Sequence, residues 1–138
     1  MPAKDIYHQT VKNALIKDGW IITDDPYKIE YEDVRLYADL AAEKPIAAER
    51  NGEKIIVEIK SFISPSPMND FENAMGQYII YRNFLQLSHT DYDIYLALRD
   101  MVFDTFFVRK SIQSIITLNK VKLIIFNSER EELKRWIK

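Results

Sequence analysis

Apolar residues recur along this chain at two spacings, and the switches between them mark out the elements. Tyr7, Val11, Ala14 and Leu15 lie at helical spacing and Gly19 is a stop, so residues 5 to about 18 read as a helix. The short run Trp20-Ile21-Ile22-Thr23, ended by Asp24-Asp25-Pro26, reads as a strand. Residues 28 to 41 and 44 to 50 look extended, and Asn51-Gly52 predicts a tight hairpin leading into a strand over 54–62. Ser64-Pro65-Ser66-Pro67 predicts a loop, because two prolines that close break both a ladder and a helix. From Asn69 to about Leu87 the helical period returns, carried by Phe71, Met75, Tyr78, Ile79, Phe84 and Leu85, with Asn69 and Glu72 at capping-box spacing. A strand over 93–97, one or two short helices in 100–117 and a buried strand over 121–126 follow. Ser128 and Glu131 form a second capping box, which predicts a terminal helix.

The resulting order is α-β-β-β-α-β-α-β-α. Hairpin-linked strands come first and helix-linked strands later, which predicts an α/β fold with a mixed central sheet and helices on both faces. A length of 138 residues suits one domain over 1–138. The 47% apolar content is ordinary for a globular chain, and no tract approaches a transmembrane helix, so no membrane association is expected. No signal peptide is visible, and the lack of cysteine excludes disulfides and thiolate metal sites; both fit a cytoplasmic location.

A net charge of −2 argues against coating nucleic acid through bulk electrostatics, but its distribution is uneven. Residues 18 to 43 hold eight acids against Lys28 and Arg35, whereas residues 109 to 138 hold eight bases against Glu129, Glu131 and Glu132. The basic end suits a phosphate backbone, but basic residues late in a terminal helix also suit its dipole, and that is the favoured reading.

The chemistry concentrates on the strand Lys54-Ile55-Ile56-Val57-Glu58-Ile59-Lys60-Ser61-Phe62. Side chains two apart share a face, so Glu58 and Lys60 project together from a row that also carries Ile56 and Phe62, while Val57 and Ile59 point the other way. Any half-exposed antiparallel strand alternates in this fashion. A carboxylate and an amine interrupting an apolar row, however, call for partners, since burying a lone charge costs several kcal/mol. Asp39, set among Ala38, Leu40, Ala41 and Ala42, is a candidate partner: Glu58 follows it by 19 positions, enough to finish one strand and return through the Asn51-Gly52 hairpin. It also reads as a solvated or capping aspartate. Two carboxylates and a lysine are the parts that hold a divalent cation over a phosphodiester.

Gln77 and Tyr81 lie four apart on the following helix and therefore share a face, where an amide can steady a carboxylate or lysine and a hydroxyl can reach a phosphate. An ordinary polar edge beside the apolar stripe looks the same. His8, at the fringe of the first helix's apolar face, is either an added ligand or proton acceptor, or a structural histidine. A glycine-rich phosphate loop, a Cys/His zinc site and a nucleophile elbow are all missing from the sequence.

Asp39, Glu58-Ile59-Lys60 and Gln77-x-x-x-Tyr81, in this order, resemble the PD-(D/E)xK nuclease superfamily. The glutamine–tyrosine pair is similar to its RecB-type branch, some members of which add an upstream histidine. Ala38 stands where the superfamily name implies proline. The segments Asp5-Ile6-Tyr7-His8, Ala14 to Trp20, Ala38 to Glu43 and Val57 to Phe62 resemble the XisH family, the fdxN element excision controlling factors of cyanobacteria.

These resemblances imply a restriction-endonuclease-like sheet and a role in removing a DNA element during heterocyst development, alongside a site-specific recombinase and a companion protein, XisI. They also imply Mg²⁺ or Mn²⁺ held by Asp39, Glu58 and the Ile59 carbonyl. Lys60 would steady the attacking water or the developing charge, with His8, Gln77 and Tyr81 in support. The competing expectation is a nuclease-like fold that binds recombinase, XisI or DNA without cutting, and a homodimer is a third arrangement such small domains adopt.

Overall fold

A computed structural model of the chain describes residues 6–35 and 45–138. Helix α1 (His8–Lys17) leads into strand β1 (Ile21–Asp24); β2 (Glu30–Tyr31) and β3 (Val34–Arg35) form a small separate hairpin. Then come β4 (Ile46–Arg50), β5 (Glu53–Ile59), helix α2 (Pro67–Leu87) and β6 (Asp93–Arg99). A helical turn α3 (Asp100–Val102) runs into a π-helical segment (Phe103–Phe107), followed by α4 (Lys110–Leu118), β7 (Leu123–Asn127) and β8 (Glu132–Ile137).

Six strands make one mixed sheet in the order β1-β4-β5-β6-β7-β8. The pairs β1–β4, β4–β5 and β7–β8 are antiparallel, while β5–β6 and β6–β7 are parallel and are bridged by α2 and α4. This is the division the sequence order predicts, because parallel neighbours need a long crossover whereas Asn51-Gly52 closes a tight turn. Both turn residues have positive φ, 52° and 82°, as a primed turn requires.

The alternation on β5 separates two cores. Ile56 faces one cluster with Leu96, Leu98, Tyr78 and Phe107, beneath α2, α4 and the π-helical segment. Ile55, Val57 and Ile59 face another with Val11, Leu15, Trp20 and Tyr95, beneath α1. Helices thus cover both faces. Helix α1 stops where expected: Gly19 at φ 89° lets Gly19 N–H donate to Ile16 and Trp20 N–H to Leu15, at 3.0 Å each.

Three local expectations are corrected. The cap of α2 is Ser66, whose hydroxyl accepts from Asn69 N–H at 3.2 Å, and not an Asn69–Glu72 box. Pro67 belongs to the helix, because its missing N–H falls at a first-turn position that has no intrahelical acceptor.

The largest correction is at the end of the chain, where the expected helix capped by Ser128 and Glu131 is instead strand β8. Asn127 Oδ1 accepts from Arg130 N–H at 2.7 Å, and Glu131, at φ 52°, turns the backbone into a hairpin. The ladder pairs Phe126 with Leu133 and Ile125 with Arg135, so Lys134 is an extra, bulged residue. That bulge puts Leu133 and Trp136 on one face, against the α1-side cluster, at the spacing of a helix.

Candidate functional site

Glu58 and Lys60 stand where β5 ends, on the face that α2 covers. Glu58 is 0% exposed and Lys60 8% exposed. Lys60 N–H still donates to Ala97 O at 3.1 Å, so the β5–β6 ladder fixes the backbone that carries the lysine. Lys60 Nζ lies 3.4 Å from Glu58 Oε1 and donates a short hydrogen bond to Gln77 Oε1. The predicted joining of Glu58, Lys60 and Gln77 is therefore present. Its cause is plain: the β5 pleat puts the first two on one face, and α2 lays Gln77 over them.

A cleft of about 540 Å³ opens beside this trio, lined by Lys60, Ser61, Phe62, Asp70, Asn73 and Gln77. Phe62 holds φ at 54°, a conformation that bulky side chains rarely adopt. Its ring packs edge-on against Phe107 at 5.3 Å, and this contact anchors the unusual backbone. Strained residues of this kind cluster where a surface is shaped for a task.

Tyr81, four residues beyond Gln77, is 1% exposed in the core with Phe71 and Tyr78. Ile59 turns its side chain into the α1-side cluster. His8 lies in the first turn of α1 and is 3% exposed; its Nε2 is 2.6 Å from Asp25 Oδ1. Lys12 Nζ reaches the other oxygen of Asp25 at 2.8 Å. Burial works to raise the Asp25 pKa, but the hydrogen bonds and charges of Lys12 and His8 outweigh it and hold the carboxyl below its ordinary value of 3.8.

Register places this second cluster at the same end of the sheet as the first, since Asp24 pairs with Ala47 and Ala47 with Ile56. It belongs to the α1 face, whereas Glu58 belongs to the α2 face. Asp25 is a member that sequence reasoning missed. It reads there only as a strand terminator, and nothing in the local pattern signals a histidine 17 residues upstream.

Asp39 lies outside the described residues. Among the described residues the strand hydrogen-bonded antiparallel to β5 is β4, from Ile46 to Arg50. Among the described residues, no group of three His, Asp or Glu side chains converges to hold a metal ion. The hard oxygen of Glu58 suits Mg²⁺ or Mn²⁺, and it needs further oxygen donors to do so. No helix among the described residues is long and apolar enough to cross a membrane.

A second cleft, of about 510 Å³, lies at the opposite end of the sheet. Of the cations that line it, Arg82 donates to Asn119 O at 2.7 Å and Lys122 pairs with Asp93 at 3.2 Å.

Comparison with known proteins agrees with this fold over nearly the full length. The family model described as XisH protein matches residues 1–134. A crystal structure of an XisH family protein from Nostoc punctiforme PCC 73102 is 42% identical with a TM-score of 0.89, covering 97% of this chain and 100% of that one. A crystal structure of an fdxN element excision controlling factor protein from Anabaena variabilis is likewise 42% identical at a TM-score of 0.89, covering 98% and 100%. No curated protein sequence matches the chain.

Proposed function

This chain belongs to the XisH family, and from that membership and the Glu58–Lys60–Gln77 cluster we propose that it is a DNA-element excision controlling factor with a nuclease-like site of the PD-(D/E)xK type. The observation that carries this reading is the placement of two ionisable side chains, enclosed together, at the end of a central strand and beside a strained cleft wall. A buried ion pair is a poor source of stability, because desolvation offsets its Coulomb attraction. Keeping one beside Ile55, Ile56, Val57 and Ile59 makes sense when the pair has chemistry to do. The mixed sheet with helices on both faces supports a restriction-endonuclease-like arrangement.

Asp39, Glu58 and the Ile59 carbonyl would hold Mg²⁺ or Mn²⁺ in this reading. When bound, the ion supplies Lewis acidity toward a phosphodiester and acidifies a water. Lys60 offers a proton-donating cation to the charge that develops on the phosphoryl oxygens, and Gln77 aims it by accepting from Nζ. Tyr81 supports α2 from beneath, and His8 supplies an imidazole at the same end of the sheet, held by Asp25. DNA is the substrate, and an XisI-type companion and a site-specific recombinase are the partners.

A second reading is an accessory protein that binds DNA, recombinase or companion without cutting. The complete enclosure of Glu58 favours it, since an ion would need access to that carboxylate.

Incubating purified protein with DNA and Mg²⁺ or Mn²⁺, with and without an XisI-type companion, separates the two. Nicking or degradation is expected, and Lys60→Ala, at a temperature where circular dichroism shows both proteins folded, should abolish it. Equal silence of wild type and variant on single-stranded, duplex and supercoiled DNA would leave the accessory reading standing.

A further inference from the structure

We propose that Arg99 is a phosphate-binding residue that receives a DNA backbone phosphate at the end of the sheet where Lys60 stands. This role rests on the DNA-directed reading above, not on cutting. Arg99 is the last residue of β6, in register with Phe126 of β7. Its Nη2 donates to Ser61 O at 3.2 Å, one residue from Lys60, and its guanidinium lies 4.9 Å from the Tyr7 ring centroid. The ring fixes the plane of the fork, and the carbonyl fixes its rotation.

The electrostatics of this fork are unfinished. Arg99 makes no ion pair among the described residues, and its Nε is buried without a hydrogen-bond partner. The adjacent acid, Asp100, is committed elsewhere: it accepts from Asn127 at 3.0 Å, from Lys134 at 3.3 Å and from Met101 N–H at 2.8 Å. These donors hold the Asp100 carboxyl below its ordinary value, although burial works to raise it.

A guanidinium keeps its charge at every accessible pH, so one that is partly buried and uncompensated carries a desolvation cost until an anion arrives. Its planar donors match phosphate oxygens. Tyr7 uses the charge only through its ring face, and among the described residues no anion meets the fork.

Fluorescence anisotropy with a short labelled DNA duplex and its single strand, in EDTA and across a salt series, tests this without any cutting. Arg99→Gln keeps the start of the stem but removes the charge and, being two atoms shorter, the reach to Ser61 O; Arg99→Lys is the control that restores the charge alone. The affinity of Arg99→Gln should fall about tenfold, and the slope of log K against log salt should drop by about one, while Arg99→Lys keeps the slope. In wild-type protein the Arg99 Nε–Hε resonance should shift on DNA addition, a readout that needs no variant to fold. Unchanged affinity and slope in Arg99→Gln, an unmoved resonance, or no DNA binding by wild type overturns the proposal. Arg99-dependent binding with no cleavage in Mg²⁺ would sink the nuclease reading alone.

Discussion

His8 and Lys12 share one carboxylate: Asp25 meets the imidazole at 2.6 Å and the ammonium at 2.8 Å. The two donors lie one helical turn apart on α1, and the acceptor follows the edge strand β1. The contact therefore joins the first helix to the rim of the sheet at the end where Lys60 and Arg99 also stand.

The pH dependence of this junction has a definite sign. Asp25 titrates below 3.8 in the fold because the hydrogen bonds and charges of Lys12 and His8 overcome the effect of burial. A carboxyl whose folded pKa is depressed contributes its full stability above the unfolded value and loses it as pH falls through the folded one. Asp25→Asn should cost about 1–3 kcal/mol near neutral pH, the range for a charge-assisted hydrogen bond and the partner it leaves behind. Urea unfolding of both proteins across the acid range checks this. The gap should close below the unfolded pKa of 3.8, and a gap that stays constant there would contradict the assignment.

The Glu58–Lys60 pair should behave oppositely to a stabilising contact. Lys60→Met alone leaves Glu58 enclosed with one cation fewer, and should destabilise by about 3–5 kcal/mol. Glu58→Leu with Lys60→Met removes both charges from a strand flanked by Ile56 and Leu96, and should recover most of that loss or exceed wild type. Gln77, half-exposed on the cleft, can turn its amide to water. Chemical denaturation of the three variants decides it. A double variant less stable than Lys60→Met would show that the pair holds the fold together.

Period and turn chemistry made much of this architecture legible. Ile55 to Lys60 alternate as a two-sided strand must, and Asn51-Gly52 fixes the β4–β5 hairpin, so the facing of Glu58 and Lys60 could be read before any coordinates. The terminal strand could not. Its bulge at Lys134 brings Leu133 and Trp136 to one face three residues apart, which in a sequence is indistinguishable from a helix. Trp136 is placed there by distant partners: it stacks on Trp20 at 5.5 Å and meets Tyr95 edge-on at 5.0 Å. The correction changes the electrostatic reading as well. Lys134, Arg135 and Lys138 sit on or beside an edge strand, so no helix dipole accounts for them; they meet their own chain instead, Lys134 at Asp100, Arg135 over the Phe103 ring and Lys138 at Glu53. Asp25 and Arg99 escaped notice for a related reason, since each acquires its role only from residues that the fold brings to the same end of the sheet.

Two glycines offer opposite outcomes from the same substitution. Gly52 sits at φ 82° in the β4–β5 turn with nothing within 4 Å of an added Cβ, so Gly52→Ala meets no clash and pays only in backbone conformation, about 1–2 kcal/mol. Gly76 lies in the interior of α2, and an added Cβ there also meets open space. Gly76→Ala should therefore stabilise by about 0.8–1.0 kcal/mol, the difference in helix propensity. Thermal melts of both variants test the pair: the turn variant should melt lower than wild type and the helix variant higher. A Gly76→Ala protein that melts higher yet loses DNA or companion binding would show that the bare face of α2 at Gly76 is needed for close approach, at a cost to the stability of the free protein.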